Sequence, residues 1–423
     1  MIDDQSVNRD SWRIAARERI LAHQLARINA LLANTLETQP FYQAKFAGIS
    51  LPLDDMSLFA ALPFLEKSEL SSALPATICG WKRNRYVHAH QTSGTTGNPI
   101  LLLDSAQDWQ WWLSTWQYVL DAAQVTISDT AFMAFSYGPF IGFWSAHDAL
   151  IQRGALVVPG GGMTSLARLH ALAACEATIL CCTPTYALHL ATIAKQTGIK
   201  IAESAISRII VAGESGGSIP EVRQRIENAW GANVIDHCGA TEVGPWGVGN
   251  RAGTGVHVIE SEFIAECLVF DAASPNGRIA KSGELAELVL TGLGRYGAPA
   301  IRYRTGDLVR AEPSTDPENQ FVFLRGGVIG RVDDMVVIRG VNVFPTSVEA
   351  IVRRVAGDAE YRVSRSRHQE MEQLRIEVEG DIATSRRLDD AFREQLGLRI
   401  EVTAVDSGTL PRFEGKAKRW ITS

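Results

Sequence analysis

Between two apolar runs, 85–89 and 100–103, lies the stretch His90-Gln91-Thr92-Ser93-Gly94-Thr95-Thr96-Gly97-Asn98-Pro99, with two glycines and four hydroxyl side chains. Glycine lets backbone approach a ligand closely. Consecutive backbone N–H groups then form a nest for an anion, and Ser and Thr hydroxyls add donors. A polyphosphate suits such a loop. The helix-opening P-loop is excluded, because it needs Gly-Lys-Ser/Thr running into a helix, whereas Gly97 is followed by Asn98-Pro99 and a strand-like run. By itself the stretch is equally a polar hairpin loop. Three further polar clusters bear on the choice: Ser136-Tyr137-Gly138, Gly213-Glu214-Ser215-Gly216-Gly217 and Cys238-Gly239-Ala240-Thr241-Glu242. His88 and His90 share a strand face and are candidate metal ligands lacking a third partner. Cys238, His237, His257 and Cys267 are too irregularly spaced to indicate zinc.

The elements that must position these clusters follow from periodicity. Asp10 or Ser11 is expected to cap a long amphipathic helix carrying Ile14, Leu21, Leu25, Ile28 and Leu32 on one face, ended by Pro40. An aromatic-rich helix is expected over 109–119. Then strands at 131–135, 155–158, 178–182, 208–212 and 234–237 alternate with helices at 142–153, 165–175, 185–196 and 220–230. That alternation predicts βαβ units and a parallel sheet, whose ligands sit at the carboxyl ends of strands. The three polar clusters fall at such ends. Beyond Gly244 the pattern is β-dominated, with runs at 256–259, 265–270, 284–290, 301–303 and 321–324. The last ninety or so residues read strand–helix–strand–strand–helix–strand, a small α/β domain.

With 46% hydrophobic residues in 423, the chain can bury a large core and should divide into at least two domains. A net charge of −6 argues against nucleic acid or an anionic membrane as partner. No apolar run approaches the roughly 18–20 residues that span a bilayer, and the N-terminus lacks a signal-peptide core. Six scattered cysteines without a C-x-x-C suggest free thiols and a cytoplasmic location.

In this order the clusters resemble the motifs of the adenylate-forming superfamily (acyl-CoA synthetases, luciferases and peptide-synthetase adenylation domains), and within it the phenylacetate-CoA ligase family. Thr92-Ser93-Gly94-Thr95-Thr96-Gly97 resembles the phosphate loop, and Cys238-Gly239-Ala240-Thr241-Glu242 the aromatic-Gly-x-Ser/Thr-Glu motif. Tyr303-Arg304-Thr305-Gly306-Asp307 resembles the ribose motif. Gly330-Arg331-Val332-Asp333-Asp334, with Arg339 to Pro345, resembles the hinge. Residues 411–416 resemble the segment bearing the catalytic lysine. Pro40-Phe41-Tyr42, Leu62 to Lys67 and the short length are similar to the phenylacetate-CoA ligase branch. The implied fold is α/β. A large N-terminal adenylate-forming domain over 1–331, with parallel βαβ sheets and a β-rich subdomain, would bind ATP and the acid. A small mobile α/β domain over 332–423 would carry the lysine.

The implied reaction joins an aryl or related carboxylic acid to the α-phosphorus of ATP, then passes the acyl group from AMP to the thiol of coenzyme A. Lys416, following Gly415, would place its ammonium on the α-phosphate and carboxylate oxygens. Glu242 would hold Mg²⁺, which prefers one or two carboxylates plus phosphate oxygens, with Thr241 donating to the α-phosphate. Asp307 would accept from the paired ribose hydroxyls, and Arg331 would contact ribose or phosphate. Gly213, Glu214 and Ser215 would border the adenine together with Cys238 and Gly239. Asp333 would be the hinge, and Tyr137, Phe140 and Trp144 the acyl pocket. Two departures stand out. Ile100 follows Pro99 where many relatives have lysine, which the phenylacetate-ligase branch tolerates. Cys238 replaces an aromatic that usually packs on adenine, and Trp246 lies in a segment, Gly244 to Gly249, that keeps only part of the branch's pattern. The acyl acceptor stays open between coenzyme A and a carrier-protein phosphopantetheine or amine. The oligomeric state stays open, a homodimer being one reading, and a non-catalytic nucleotide-binding relic is the third functional reading.

Overall fold

The computed structural model describes residues 4–72, 80–92, 99–139, 141–142, 144–338, 341–368, 371–413 and 417–422. The expected single N-terminal helix is two, Asp4–Arg13 and Arg17–Thr38, with Asp10 and Ser11 inside the first. Tertiary bonds break it: the Arg13 carbonyl accepts the Gln320 N–H at 2.6 Å, and the Arg13 guanidinium pairs with Asp121 at 3.2 Å. Ile14, expected on the buried face, is 61% exposed at the break. Pro40 opens a short helix, Pro40–Lys45, because an N1 proline lacks only an N–H that the helix leaves unpaired anyway. The buried Tyr42 of that helix donates to the Pro299 carbonyl at 2.7 Å.

Strands β1 (Tyr86–Gln91) and β2 (Leu101–Ser105) form an antiparallel hairpin on either side of residues 93–98. Ser105 and Asp108 then form a capping box that opens helix Ala106–Ala122, whose Trp111, Trp112 and Trp116 are buried. Five parallel strands follow: β3 (Thr130–Met133), β4 (Leu156–Pro159), β5 (Ile179–Cys182), β6 (Arg208–Ala212) and β7 (Asn233–Ala240), side by side as β7-β6-β5-β3-β4. Helices Trp144–Arg153, Ser165–Ala174, Pro184–Thr197 and Pro220–Trp230 alternate with them, as the period change predicts.

Past β7 the same sheet continues antiparallel through β8 (Gly244–Gly249), β9 (Gly255–Val258), β10 (Phe263–Asp271), β11 (Ser274–Ile279), β12 (Leu285–Gly292), β13 (Tyr303–Glu312) and β14 (Phe323–Arg325), in the order β8-β9-β14-β13-β12-β10-β11. β15 (Gly330–Arg331) pairs with β13. The strand expected over 301–303 instead starts at Tyr303 and runs ten residues. Opposite Leu288 it bulges: Glu287 pairs with Leu308 and Val289 with Arg304, leaving residues 305–307 against one partner. Gly306 takes φ +73° in this bulge, and a Cβ there would meet Arg331 Nη2 at 3.1 Å. Glycine is therefore the residue that both the backbone and the close approach permit.

The remainder packs its own core around Val348, Ile351, Val363, Ile376, Leu388 and Phe392. It comprises a hairpin of β16 (Val336–Ile338) and β17 (Val341–Val343), helices Pro345–Ala356 and Ile382–Leu396, and four strands, β18 (Tyr361–His368), β19 (Met371–Glu379), β20 (Glu401–Val405) and β21 (Trp420–Thr422), ordered β20-β19-β18-β21. β21 is not legible as a strand in the sequence. Among the described residues no helix is long and apolar enough to cross a membrane.

Candidate functional site

The ribose-motif and Glu242 segments meet. Glu242 is 9% exposed and its Oε1 accepts the Tyr303 hydroxyl at 3.2 Å. Asp307 leaves the bulge with its N–H bonded to Thr305 Oγ1 at 3.0 Å, and its Oδ1 accepts Arg331 Nη1 at 2.8 Å. The β13–β15 pairing sets Asp307 directly opposite Arg331. Arg331 also approaches Asp333 at 3.7 Å, and Asp333 is 58% exposed. Burial pushes the Asp307 carboxyl up to about 6; the Arg331 charge opposes that rise and the Glu242 charge adds to it. Burial, then the adjacent Glu242 charge, raises the Tyr303 phenol far above its ordinary value, so this hydroxyl keeps its proton and donates a hydrogen bond to Glu242.

The glycine-loop hairpin is closed at its base. Thr92 N–H donates to the Ile100 carbonyl at 3.0 Å, and Ile100 N–H donates to Thr92 Oγ1 at 3.0 Å. Gln91 N–H reaches the Pro139 carbonyl at 2.8 Å, tying the hairpin to the segment after β3. Ser93, Gly94, Thr95, Thr96 and Gly97 lie outside the described residues, as do Phe140 and Lys416. Of the expected acyl-pocket residues, Tyr137 and Trp144 stack edge to face with centroids 4.6 Å apart, and Trp144 donates to the Gly138 carbonyl at 3.0 Å. The Tyr137 hydroxyl is buried with no hydrogen-bond partner among the described residues.

At the end of β6, Gly213 takes φ +92°, and the chain turns so that Glu214 joins distant segments. Its Oε1 accepts Thr185 N–H at 2.7 Å, at the start of helix Pro184–Thr197, and its Oε2 accepts Ala417 N–H at 3.2 Å. Ser215 Oγ donates to the Val328 carbonyl at 3.3 Å. A cleft of about 2190 Å³ separates the larger part from the C-terminal part, lined by Glu214, Ser215, Arg331, Asp333, Ala417 and Lys418 among others. Cys238 and Gly239 lie on β7 beside β8, where Cys238 pairs with Gly247 and a Cβ on Gly239 would meet the Gly244 carbonyl at 3.2 Å. Burial drives the Cys238 thiol well above its usual value, so it stays a neutral small side chain. Trp246 is 1% exposed on β8 and belongs to the core.

Two groups with no signal in the sequence complete the arrangement. Arg295 donates to the carbonyls of Thr241 (2.8 Å) and Glu242 (3.2 Å), and pairs two-pronged with Asp104 at 2.7 and 2.9 Å. Asp104 and Arg295 are 191 residues apart, and no local spacing connects them. Thr241 is thus held by its backbone, and its side chain is half-buried. His88 and His90 share a face of β1 as expected, but stack on Trp109 with centroids at 4.1 and 5.4 Å. Among the described residues no group of three or more His, Cys, Asp or Glu could hold a metal ion by itself. A dedicated protein cage is not what Mg²⁺ requires when a substrate supplies phosphate oxygens. Glu242 brings a carboxylate, a hard-oxygen group of the kind Mg²⁺ prefers, next to Tyr303.

A family model described as the AMP-binding enzyme C-terminal domain matches residues 340–423. Among curated relatives, the phenylacetate-coenzyme A ligase of Pseudomonas putida is 29% identical over 427 residues, spanning 96% of this chain and 95% of that one. The Escherichia coli phenylacetate-coenzyme A ligase is 27% identical, spanning 97% and 96%. Among solved structures, 2-hydroxyisobutyryl-CoA ligase in the postadenylation state with 2-HIB-AMP superposes with a TM-score of 0.90 at 24% identity, covering 98% of this chain and 91% of that one. The same ligase in its thioesterification state, with 2-HIB-AMP and CoA, gives 0.73 at 25% identity, covering 97% and 91%.

Proposed function

We propose that this chain, which belongs to the adenylate-forming superfamily, is an AMP-forming acid–coenzyme A ligase. It activates an aryl or related carboxylic acid as acyl-AMP and then transfers the acyl group to the coenzyme A thiol. One observation carries the reading: Glu242, Tyr303, Asp307 and Arg331 converge behind a cleft into which Ala417 brings the C-terminal segment. Relatives named phenylacetate-coenzyme A ligase over nearly the whole chain support the acid and the thiol as substrates.

In this reading ATP enters with its triphosphate toward residues 92–97. The two Asp307 oxygens accept ribose hydroxyls, each bond to a charged acceptor contributing about 1.5–3 kcal/mol, while Arg331 fixes the carboxylate's orientation. Glu242, steadied by the Tyr303 hydroxyl, would hold Mg²⁺, which when bound supplies positive charge to the phosphate oxygens. Thr241 donates to the α-phosphate. Gly213 to Ser215 with Cys238 and Gly239 border the adenine, and Tyr137, Phe140 and Trp144 face the acid. Residues 1–331 form the binding body, and residues 332–423 turn about Asp333 between the two half-reactions. The test is ATP–pyrophosphate exchange across aryl and alkyl acids, followed by CoA consumption. Exchange with no acid in the panel would remove the basis of the reading. An acylated carrier protein on intact-mass analysis, with free CoA inert, would redirect the second half-reaction.

The Asp307 carboxyl sets a pH dependence. Below about 6 it is protonated, loses one acceptor for ribose and leaves Arg331 without its partner. The KM for ATP is therefore expected to rise as pH falls through 6, and this dependence should vanish in Asp307→Asn. Stability runs the other way. A carboxyl whose folded value lies above its unfolded one favours the fold fully only below the unfolded value, and that contribution is lost as pH rises through 6.

Besides the Ala417–Glu214 bond, surface ion pairs help hold the present arrangement of the two parts. Glu221 and Arg225, on helix Pro220–Trp230, bond to Arg354 (2.5 Å) and Asp358 respectively. Exposed pairs contribute about 0.2–1 kcal/mol and are screened by salt, which suits a pose that must be left once per turnover. The higher TM-score to the postadenylation state than to the thioesterification state of one ligase supports assigning this pose to adenylation. Glu221→Arg should slow acid-dependent exchange about two- to fivefold without slowing thioester formation from supplied acyl-AMP. Adding Arg354→Glu should restore it. Equal loss in both half-reactions would contradict this.

A further inference from the structure

Asp104 and Arg295 form an ion pair with side chains 0% and 1% exposed. Taking two charges out of water is costly, and a packed apolar pair of similar volume usually serves stability at least as well. The pair does more than fill space. Arg295 spends Nε and Nη2 on Asp104 and turns Nη1 onto the carbonyls of Thr241 and Glu242. Asp104 Oδ1 also accepts Trp112 Nε1 at 3.3 Å, and its Oδ2 lies 4.0 Å from His90 Nδ1. Burial is the largest influence and would raise the Asp104 carboxyl, but the Arg295 charge, the hydrogen bonds from Arg295 and the nearby His90 together outweigh it and the group lies below its ordinary value, so the pair is ionised.

The loop bearing Arg295 is fixed on both sides. A Cβ on Gly294 would meet Trp111 Cδ1 at 2.2 Å. The next two N–H groups, of Tyr296 and Gly297, donate to Asp108 Oδ1 at 2.7 and 3.2 Å, and Asp108 is also the capping-box residue that follows β2. Asp104 lies on β2, the strand that leaves the glycine loop, opposite His88 of β1. One guanidinium therefore spans the hairpin of the phosphate loop and the backbone of the Thr241–Glu242 motif.

We propose that Asp104 and Arg295 are positioning residues for the adenylation half-reaction, setting the separation of the glycine-loop hairpin from the Thr241–Glu242 backbone. This rests on the ligase reading above. Thioester formation from acyl-AMP involves neither pyrophosphate nor the β- and γ-phosphates, so it should tolerate an error in that separation. Arg295→Lys keeps the charge but cannot hold Asp104 and both carbonyls together, and Asp104→Asn removes the charged acceptor.

Each variant should lower kcat for acid-dependent ATP–pyrophosphate exchange about 10- to 100-fold, the loss typical of charge-assisted hydrogen bonds. The KM for the acid should stay within about twofold, and thioester formation from supplied acyl-AMP and CoA should remain near the wild-type rate. Exchange at the wild-type rate, or a parallel fall in both half-reactions together with the melting temperature, overturns the proposal, the latter outcome marking the pair as scaffold alone. If the wild-type protein exchanges with no acid, the ligase reading fails on its own. The pair is then judged by calorimetry of ATP with Mg²⁺, where Arg295→Lys is expected to weaken binding about tenfold and equal affinities would overturn the proposal.

Discussion

Lys416→Ala is expected to lower acid-dependent ATP–pyrophosphate exchange by about 10²–10³, the usual effect of removing one donor from charge that develops in a transition state. The chemical difficulty is electrostatic. A carboxylate must approach the α-phosphorus of a polyanion, and two unit charges 4 Å apart repel by about 4 kcal/mol at an effective dielectric of about 20. An ammonium between them offsets most of that. Support for Lys416 as its source comes from its neighbour: Ala417 bonds through its N–H to Glu214, and Lys418 lines the cleft. On the proposed reading the role is specific to one half-reaction, since thiol attack on acyl-AMP no longer faces the triphosphate. Supplied acyl-AMP should therefore still be converted to the thioester by the variant, with the KM for ATP little changed. Full exchange activity in Lys416→Ala, alongside a matching loss in Lys418→Ala, would move the role to the second lysine.

Glu242→Gln should produce a fall of similar size with a different signature. The amide keeps the shape and still accepts from Tyr303, whose hydroxyl lies 3.2 Å from Oε1, so folding should survive. What disappears is the carboxylate that the proposed reading gives to Mg²⁺, and a neutral amide is a poor substitute for a hard cation. Half-saturation by Mg²⁺ is expected to shift upward by about tenfold or more, and excess Mg²⁺ should recover part of the exchange rate. The Lys416→Ala variant should show no such recovery, which separates the two roles. A Glu242→Gln protein with an unshifted Mg²⁺ dependence would sink the assignment, leaving Glu242 as a partner of Tyr303 only.

Much of the positioning was legible because it is local. The alternation of β-rich runs with helical runs between Ala131 and His237 yields the parallel strands β3 to β7 with bounds displaced by at most a few residues, and helix Pro220–Trp230 falls where periodicity puts it. The motif segments were legible for the same reason: glycines and polar side chains interrupt apolar runs at strand ends. Elements whose fate depends on distant partners were not. The N-terminal helix breaks because Arg13 has Asp121 and Gln320 to satisfy, and the bulge that turns Asp307 toward Arg331 exists only in register with β12.

The sequence by itself determined the α/β class, the order of the five motif segments and the identities of Glu242, Asp307, Arg331 and Lys416 as charged candidates. Only the tertiary structure decided that Tyr303 supports Glu242, that Glu214 joins the start of a helix to Ala417, and that Arg295 with Asp104 ties the glycine-loop hairpin to the Thr241–Glu242 backbone. The reason is range. Periodicity and turn chemistry act over a few residues, whereas a buried charge finds its partner wherever the folded chain brings one, here 191 residues away, because leaving it unpaired out of water costs more than any local preference can offset.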